Sequence, residues 1–207
     1  MTTRHYAPLR EFLASLTRLV SEPHGEQEVL AQGAELLGQL VANDVWLDDE
    51  FAVPHPDHYQ QYLLYADPLS RFSVVSFVWG PGQVTPIHDH RVWGLIGMLR
   101  GEEISQNYVR NGLGELVTEG QPVRLTPGSV EKISPSELDI HQVSNAFSDR
   151  VSVSIHVYGG NIGAVSRAVY LPDGQQKTFI SGYSNRTLPN LWDLSKEQHL
   201  LKEKQHD

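Results

Sequence analysis

The stretch "TPIHDHRVWGLIGMLRGEE", residues 85–103, places His88 and His90 two positions apart in a segment with strand character. Side chains two residues apart on a strand point to the same face, so the segment predicts two imidazoles side by side on one rigid element. Such a pair can supply two metal ligands, but a half-polar surface strand shows the same spacing. The rest of the sequence has to decide between these two interpretations.

The composition limits which partners the protein can bind and which residues can form a metal site. The chain has 207 residues, a formal net charge of -9 and no cysteine. An acidic chain without a basic cluster argues against a nucleic-acid or anionic-membrane partner and favours a small molecule. The lack of cysteine excludes disulfides, thiolate metal sites and cysteine nucleophiles, so any metal must be held by His, Asp or Glu. No signal peptide or membrane span is evident, and we expect a cytoplasmic protein.

Hydrophobic periodicity divides the chain into two parts. Apolar residues at helical spacing predict amphipathic helices over residues 7–20 and 25–41. From "RFSVVSFVWGPG" (71–82) to "RVSVSIHVYGG" (150–160), short β-rich runs alternate with turn residues, as in a sandwich or small barrel. We expect a mainly β fold in one domain over 1–207, with a helical portion at about 1–45 and a β-barrel at about 70–185.

A third histidine, His141, follows in "ISPSELDIHQVSNAF", residues 133–147. Closure of a barrel can bring it opposite His88 and His90. Three neutral imidazoles with open coordination positions suit a catalytic divalent metal of the first transition row. Imidazole ligands alone do not distinguish iron from zinc, nickel, cobalt or manganese.

The spacing of glycines and histidines resembles the two cupin motifs: Gly82, His88, His90, Gly94 and Gly101 for the first, and His141 and Asn145 for the second. Where the common motif has a glutamate ligand, this chain has Gly94. A cupin with three histidines and no carboxylate is similar to the thiol dioxygenases of the cysteine dioxygenase family. The resemblance implies a cupin-type, jelly-roll-like double-sheet β-barrel with N-terminal α-helices, in which the three histidines hold Fe(II).

A second local pattern lies in "VSVSIHVYGG", where Ser154, His156 and Tyr158 alternate and therefore share one strand face. An ordinary half-buried sheet face shows the same pattern. The resemblance implies instead a catalytic Ser-His-Tyr chain with the tyrosine hydroxyl at the iron. Animal members carry a cysteine crosslinked to this tyrosine. That crosslink is impossible here, as in the bacterial branch that resembles 3-mercaptopropionate dioxygenase.

Resemblance to that branch also implies that Gln61 and Arg167 bind the carboxylate of the substrate. Spacing alone leaves Gln60 open as the alternative to Gln61. An ordinary surface charge or ion pair is the alternative for Arg167. Arg71 is the rival carboxylate anchor, and its position at the start of a strand favours a structural role.

These expectations together describe a non-heme Fe(II) thiol dioxygenase that oxidises a small carboxylate-bearing thiol, with 3-mercaptopropionate favoured, to its sulfinate. Its partners would be the thiol and O2, with no nucleic acid and no membrane. L-cysteine dioxygenase is one alternative, and a non-catalytic metal- or ligand-binding cupin sensor is another. The sequence leaves the oligomeric state open.

Overall fold

The computed structural model describes residues 6–137, 139–171 and 175–189. Two helices open the described chain, α1 at Ala7–Leu19 and α2 at Glu26–Val41. Both have one apolar stripe, and that stripe is buried in each of them. Neither has the length and apolar character that crossing a bilayer requires.

In the described part of the chain, eleven strands follow the helices and form two antiparallel sheets. In chain order they are β1 Gln60–Ala66, β2 Ser73–Trp79, β3 Ile87–His88, β4 Gly94–Arg100, β5 Glu103–Arg110, β6 Leu116–Leu125, β7 Val130–Ile133, β8 Ile140–Asn145, β9 Ser152–Tyr158, β10 Arg167–Tyr170 and β11 Gln176–Phe179. The first sheet has the order β1-β2-β9-β4-β7, and the second has the order β11-β10-β3-β8-β5-β6.

The central strands of the first sheet are buried on both faces. All seven residues are buried in both β2 and β9, which are neighbours in the sheet. Alternate side chains of a strand point to opposite faces of the sheet. Val153, Ile155 and Val157 pack in the same cluster as the helices, whereas Tyr158 lies in a second cluster inside the barrel. The helices thus supply the apolar cover of one face, which frees the other face to carry polar side chains.

Helix α2 fits against β4 through two glycines. A Cβ atom at Gly97 would lie 2.8 Å from Cγ of Leu37, and one at Gly33 would lie 2.9 Å from Cδ1 of Leu95. Each glycine therefore accepts a leucine from the other element, and the backbones approach closely. This contact holds the helical portion on the outside of the barrel.

The mainly β, double-sheet architecture with N-terminal helices is confirmed. The predicted helices match α1 and α2, and the strands begin at Gln60, before the expected start near residue 70. The early start has a physical reason, since β1 pairs with β2 along Gln60 to Ala66 and extends the first sheet by one strand. A single domain over 1–207 stays a prediction, because both termini extend beyond the described residues.

Leu37→Ala should destabilise the fold by about 2–5 kcal/mol, because Leu37 is fully buried and its loss leaves a cavity above Gly97. Chemical denaturation measures the change. Gln39→Ala, at an exposed position of the same helix, is the matched control and should change stability by less than about 0.5 kcal/mol. Equal effects of the two substitutions would contradict this role of the α2–β4 contact.

Candidate metal centre and substrate cavity

His88 and His141 form a direct cross-strand pair in the second sheet. The antiparallel register of β3 and β8 aligns the two residues, and their ring centroids are 4.9 Å apart. Directly opposite residues on one sheet face have adjacent side chains. The sheet register alone therefore unites two histidines that are far apart in the sequence.

His90 reaches the same place from a loop. Strand β3 ends at His88, so the expectation that one strand carries both His88 and His90 is wrong. The Asp139 carboxylate accepts the backbone N–H groups of His90 (2.9 Å) and Arg91 (3.1 Å), and Arg91 has a φ of 60°. These contacts turn the chain out of the strand. The His90 ring centroid nevertheless lies 4.8 Å from His88 and 4.7 Å from His141.

All three rings are oriented by a contact at Nδ1. The partners are Pro86 O at 3.0 Å for His88, Asp139 O at 3.1 Å for His90 and Ser105 Oγ at 3.3 Å for His141. A carbonyl oxygen at Nδ1 fixes the hydrogen there and leaves the Nε2 lone pair of His88 and of His90 free to bind a metal, and the Ser105 hydroxyl can accept from His141 Nδ1–H in the same way. The ligand atoms of the three rings lie within 4.8 Å of one another, and Nε2 of His90 is buried without a hydrogen-bond partner among the described residues.

Burial keeps His88 and His141 uncharged. Desolvation, reinforced by the neighbouring His90, lowers the pKa of His88 to about 3, and the same causes hold the pKa of His141 well below its usual range. Neutral imidazoles have a lone pair to offer, which a metal needs. The three histidines therefore fit a divalent metal, and the arrangement could hold one.

The position of the missing glutamate is closed by an aromatic ring. A Cβ atom at Gly94 would lie 3.2 Å from Cδ1 of the Tyr158 ring. A side chain at this position would crowd that ring, so the glycine lets the tyrosine ring lie close to the backbone. The same ring stacks on His90, with centroids 5.6 Å apart.

Ser154, His156 and Tyr158 form one continuous hydrogen-bonded chain on β9. Ser154 Oγ lies 2.8 Å from His156 Nε2, and His156 Nδ1 lies 2.8 Å from the Tyr158 hydroxyl. Phe77 stacks on the His156 ring at 3.9 Å. Burial holds the pKa of His156 well below its usual range and raises that of Tyr158, so both groups are neutral.

A cavity of about 250 Å³ opens beside His88. Its polar lining includes Tyr59, Gln61 and Arg167, and none of the described lining residues is acidic. Gln61 rather than Gln60 faces this cavity, and its amide oxygen is enclosed without a partner. Strand alternation explains the difference, since neighbouring residues of β1 point to opposite faces.

Arg167 is a buried cation, with 3 % of its surface exposed. One guanidinium nitrogen donates to Ser181 Oγ at 2.8 Å, and the group lies 4.6 Å from the Phe179 ring. Nε has no hydrogen-bond partner in the part of the chain that the structure describes. Burial lowers its pKa, which the nearby phenol of Tyr158 partly offsets. Among the described residues, no carboxylate lies within ion-pair distance of it. The rival anchor Arg71 instead forms an ion pair with Asp67 at 2.7 Å.

Three residues of this region were missed from the sequence: Tyr59, Asp139 and Ser105. Tyr59 precedes Gln61 by two positions, and Asp139 precedes His141 by two, so alternation offered a signal for both. Ser105 had no such signal, because its contact with His141 depends on the pairing of β5 with β8. Asp89 is no part of the metal cluster, since its carboxylate accepts from Ala168 N–H and Tyr170 O–H.

Comparison with known proteins gives one family and several similar folds. The family described as cysteine dioxygenase type I matches residues 27–168. A Klebsiella pneumoniae protein with a double-stranded β-helix domain is similar at 20% identity over 58% of this chain and 86% of its own, with a TM-score of 0.45. A cupin superfamily protein from Desulfitobacterium hafniense is similar at 13% identity over 53% and 84%, with a TM-score of 0.41.

Replacement of His88, His90 or His141 by alanine should each lower the retention of Fe(II) by more than about 100-fold, because a ligand is lost rather than a supporting hydrogen bond. Metal analysis of desalted variants measures this, and circular dichroism should show a folded β domain. His24→Ala is the control, since His24 pairs with Glu28 at 2.8 Å on the surface. Full iron occupancy in any of the three variants would remove that histidine from the ligand set.

Proposed function

The chain belongs to the cysteine dioxygenase type I family, and from this premise we propose that it is an Fe(II) thiol dioxygenase acting on a small carboxylate-bearing thiol. The family implies a non-heme metal, a small thiol and O2. The proposed ligands are His88, His90 and His141, and the proposed substrate is 3-mercaptopropionate in preference to L-cysteine. The product is the corresponding sulfinate.

One observation carries the proposal: the cluster of three imidazoles borders, through His88, a cavity whose lining includes the Arg167 guanidinium, which has no carboxylate partner among the described residues. An unpaired buried cation is costly and favours an anion in the cavity. Arg167 would bind the substrate carboxylate, and the Gln61 amide is free to turn its N–H groups toward the same group. A short thiol whose carboxylate is bound by Arg167 and Gln61 would place its sulfur near His88.

O2 is the only oxidant that the conversion of the thiol to the sulfinate needs. Both oxygen atoms become bonded to the sulfur of the thiol, which gives up four electrons while O2 accepts four, so no further reductant is required. A bound Fe(II) would supply a Lewis acid that favours the thiolate and the redox chemistry that O2 needs.

The residues around the centre have separate tasks in this proposal. Arg167 and Gln61 orient the substrate through its carboxylate, which positions the sulfur for oxygen transfer. The Tyr158 hydroxyl would donate a hydrogen bond to the reacting groups, with His156 and Ser154 holding it in place. Burial of these three side chains excludes water from that side of the centre.

The preference for 3-mercaptopropionate follows from charge. The α-ammonium of cysteine would enter a cavity whose described lining holds the Arg167 guanidinium and no acidic group. An unpaired polar group in a small site costs about 1–3 kcal/mol, so kcat/KM should favour 3-mercaptopropionate by about tenfold or more. Oxygen uptake by the iron-loaded protein with both thiols measures the ratio. A cysteine value equal to or above that of 3-mercaptopropionate would leave only the broader thiol dioxygenase activity.

Arg167→Met separates carboxylate binding from the other functions. It should raise KM for 3-mercaptopropionate by at least about tenfold and leave the KM of an uncharged thiol without a carboxylate, 2-mercaptoethanol, unchanged. Arg150→Met is the control, since Arg150 lies on the surface beside Asp149. Metal retention without thiol-dependent oxygen uptake in the unmodified protein would favour a metal-binding sensor instead.

Tyr158→Phe should retain iron and lower kcat by about 10- to 100-fold, because it removes a hydrogen bond and no metal ligand. Stopped assays of sulfinate formation together with metal analysis distinguish these effects. Tyr62→Phe removes a hydroxyl that donates to Val53 O near the surface and should leave both quantities unchanged. An unaltered kcat and pH profile in Tyr158→Phe would exclude the hydroxyl from the reaction.

A further inference from the structure

One short segment of the chain contacts both residues that are proposed to bind the substrate carboxylate. Residues 179–185, called the strap below, begin at the end of β11 in the second sheet and reach the outer edge of β1 in the first sheet. The strap contacts the side chain of Arg167 near its start and the backbone of Gln61 near its end. It therefore connects the two sheets beside the substrate cavity.

The first half of the strap holds the Arg167 guanidinium. Ser181 Oγ accepts a guanidinium N–H at 2.8 Å, and the guanidinium carbon lies 4.6 Å from the centroid of the Phe179 ring. Phe179 and Arg167 both line the cavity. Arginine has a long side chain with many rotamers, and a hydrogen bond combined with a ring contact restricts it to few of them. The strap thus fixes the cation at one place in the cavity wall.

The second half of the strap holds β1 around Gln61. Ser184 Oγ accepts the Gln61 N–H at 2.9 Å, and the Ser184 N–H donates to Gln61 O at 2.8 Å. The Asn185 side chain makes the same pair of contacts with Leu63, at 2.8 Å to its N–H and 2.9 Å to its carbonyl oxygen. These contacts satisfy backbone groups on the outer edge of β1. The backbone that directs the Gln61 side chain into the cavity is therefore held from both edges.

The strap is itself anchored at its middle. The Tyr183 hydroxyl accepts the Gly163 N–H at 3.0 Å and donates to Asn161 Oδ1, and the Gly182 N–H donates to Gly163 O at 3.0 Å. The Tyr183 ring lies so close to Gly163 that a Cβ atom there would be 2.4 Å from Cε2 of the ring. Because these contacts fix the centre of the strap, its two halves keep a constant position relative to each other.

We propose that the strap sets the chain length of the thiol acid that the site accepts, with Ser181 as the positioning residue for the carboxylate end. This inference rests on the proposed function and deepens it. The sulfur lies near His88 and the carboxylate at Arg167, so an acid fits when its chain spans these two points. A guanidinium held by Ser181 and Phe179 does not follow a longer acid. One additional methylene should therefore cost about tenfold or more in kcat/KM.

Loss of the Ser181 hydroxyl should relax this selectivity. The unmodified protein should favour 3-mercaptopropionate over 4-mercaptobutyrate by about tenfold or more in kcat/KM, and Ser181→Ala should reduce that ratio to about threefold or less. The change should come from a KM for 3-mercaptopropionate that rises by about 3- to 10-fold, with kcat within about twofold. Ser181→Thr keeps the hydroxyl and should keep the ratio. Oxygen uptake by the iron-loaded proteins measures all of these quantities.

The matched control removes a similar contact outside the cavity. Ser21 Oγ accepts a guanidinium N–H of Arg71 at 2.7 Å, and neither residue lines the cavity, so Ser21→Ala should leave the ratio unchanged. A double-mutant cycle tests whether Ser181 acts through Arg167: once Arg167→Met is present, Ser181→Ala should not raise KM further. An equal rise of KM in both backgrounds would mean a merely structural role for Ser181 and would overturn the proposal.

Binding measured without turnover separates this proposal from the proposed function. In the full-length protein loaded with Zn(II), calorimetry should give a Kd for 3-mercaptopropionate at least about tenfold below that for 4-mercaptobutyrate, and Ser181→Ala should narrow the difference to about threefold or less. The Kd of 2-mercaptoethanol, which has no carboxylate, should be equal in the two proteins. Equal binding of the two acids by the unmodified protein, or the same Kd ratio in Ser181→Ala, would overturn the role of the strap.

Folding and failure of either proposal are distinguished in the same experiments. Thermal melting checks each variant, and Ser181→Gly replaces Ser181→Ala in both assays if the alanine variant does not fold. Absence of thiol-dependent oxygen uptake in the unmodified protein would defeat the proposed function alone, because the ratio of Kd values in the zinc-loaded protein would still decide whether the strap selects chain length.

Discussion

Three imidazoles packed against one another inside a barrel impose the main constraint on this fold. A buried neutral imidazole has to place its one N–H on an oxygen, and a free Nε2 then follows from the Nδ1 contact. His88 finds that oxygen on its own chain two residues earlier, at Pro86. His90 and His141 depend on distant residues, Asp139 and Ser105, so the loop before β8 and the pairing of β5 with β8 are both required to form the centre.

The helices stabilise strands whose inner face is polar, because they cover the opposite, apolar face of the same strands. On β9, the odd-numbered side chains Val153, Ile155 and Val157 pack under the helices, and the even-numbered ones line the barrel. The apolar contacts of the outer face stabilise a strand whose inner face consists of hydroxyl, imidazole and phenol groups. Those groups lie in a dry interior, where each hydrogen bond and charge acts more strongly than in water.

The charge of the centre depends on the lack of a carboxylate at Gly94, where the Tyr158 ring lies instead. Gly94 has no side chain, so no carboxylate projects from that position, and the Tyr158 ring lies against it. Three neutral histidines leave a divalent metal with its full charge, and the nearby cavity adds the guanidinium of Arg167. Both features favour an anionic ligand over a neutral or cationic one.

Local patterns in the sequence determined the two helices, the β-rich character of the rest, the three histidines and the shared face of Ser154, His156 and Tyr158. These features depend on periodicity and on motif spacing, which neighbouring residues carry. Only the tertiary structure decided that Gln61 rather than Gln60 faces the cavity, that His90 leaves the strand, and that Ser105 contacts His141. Each of these rests on a contact between strands or loops distant in sequence, and strand register and loop closure exist only when the whole barrel is assembled.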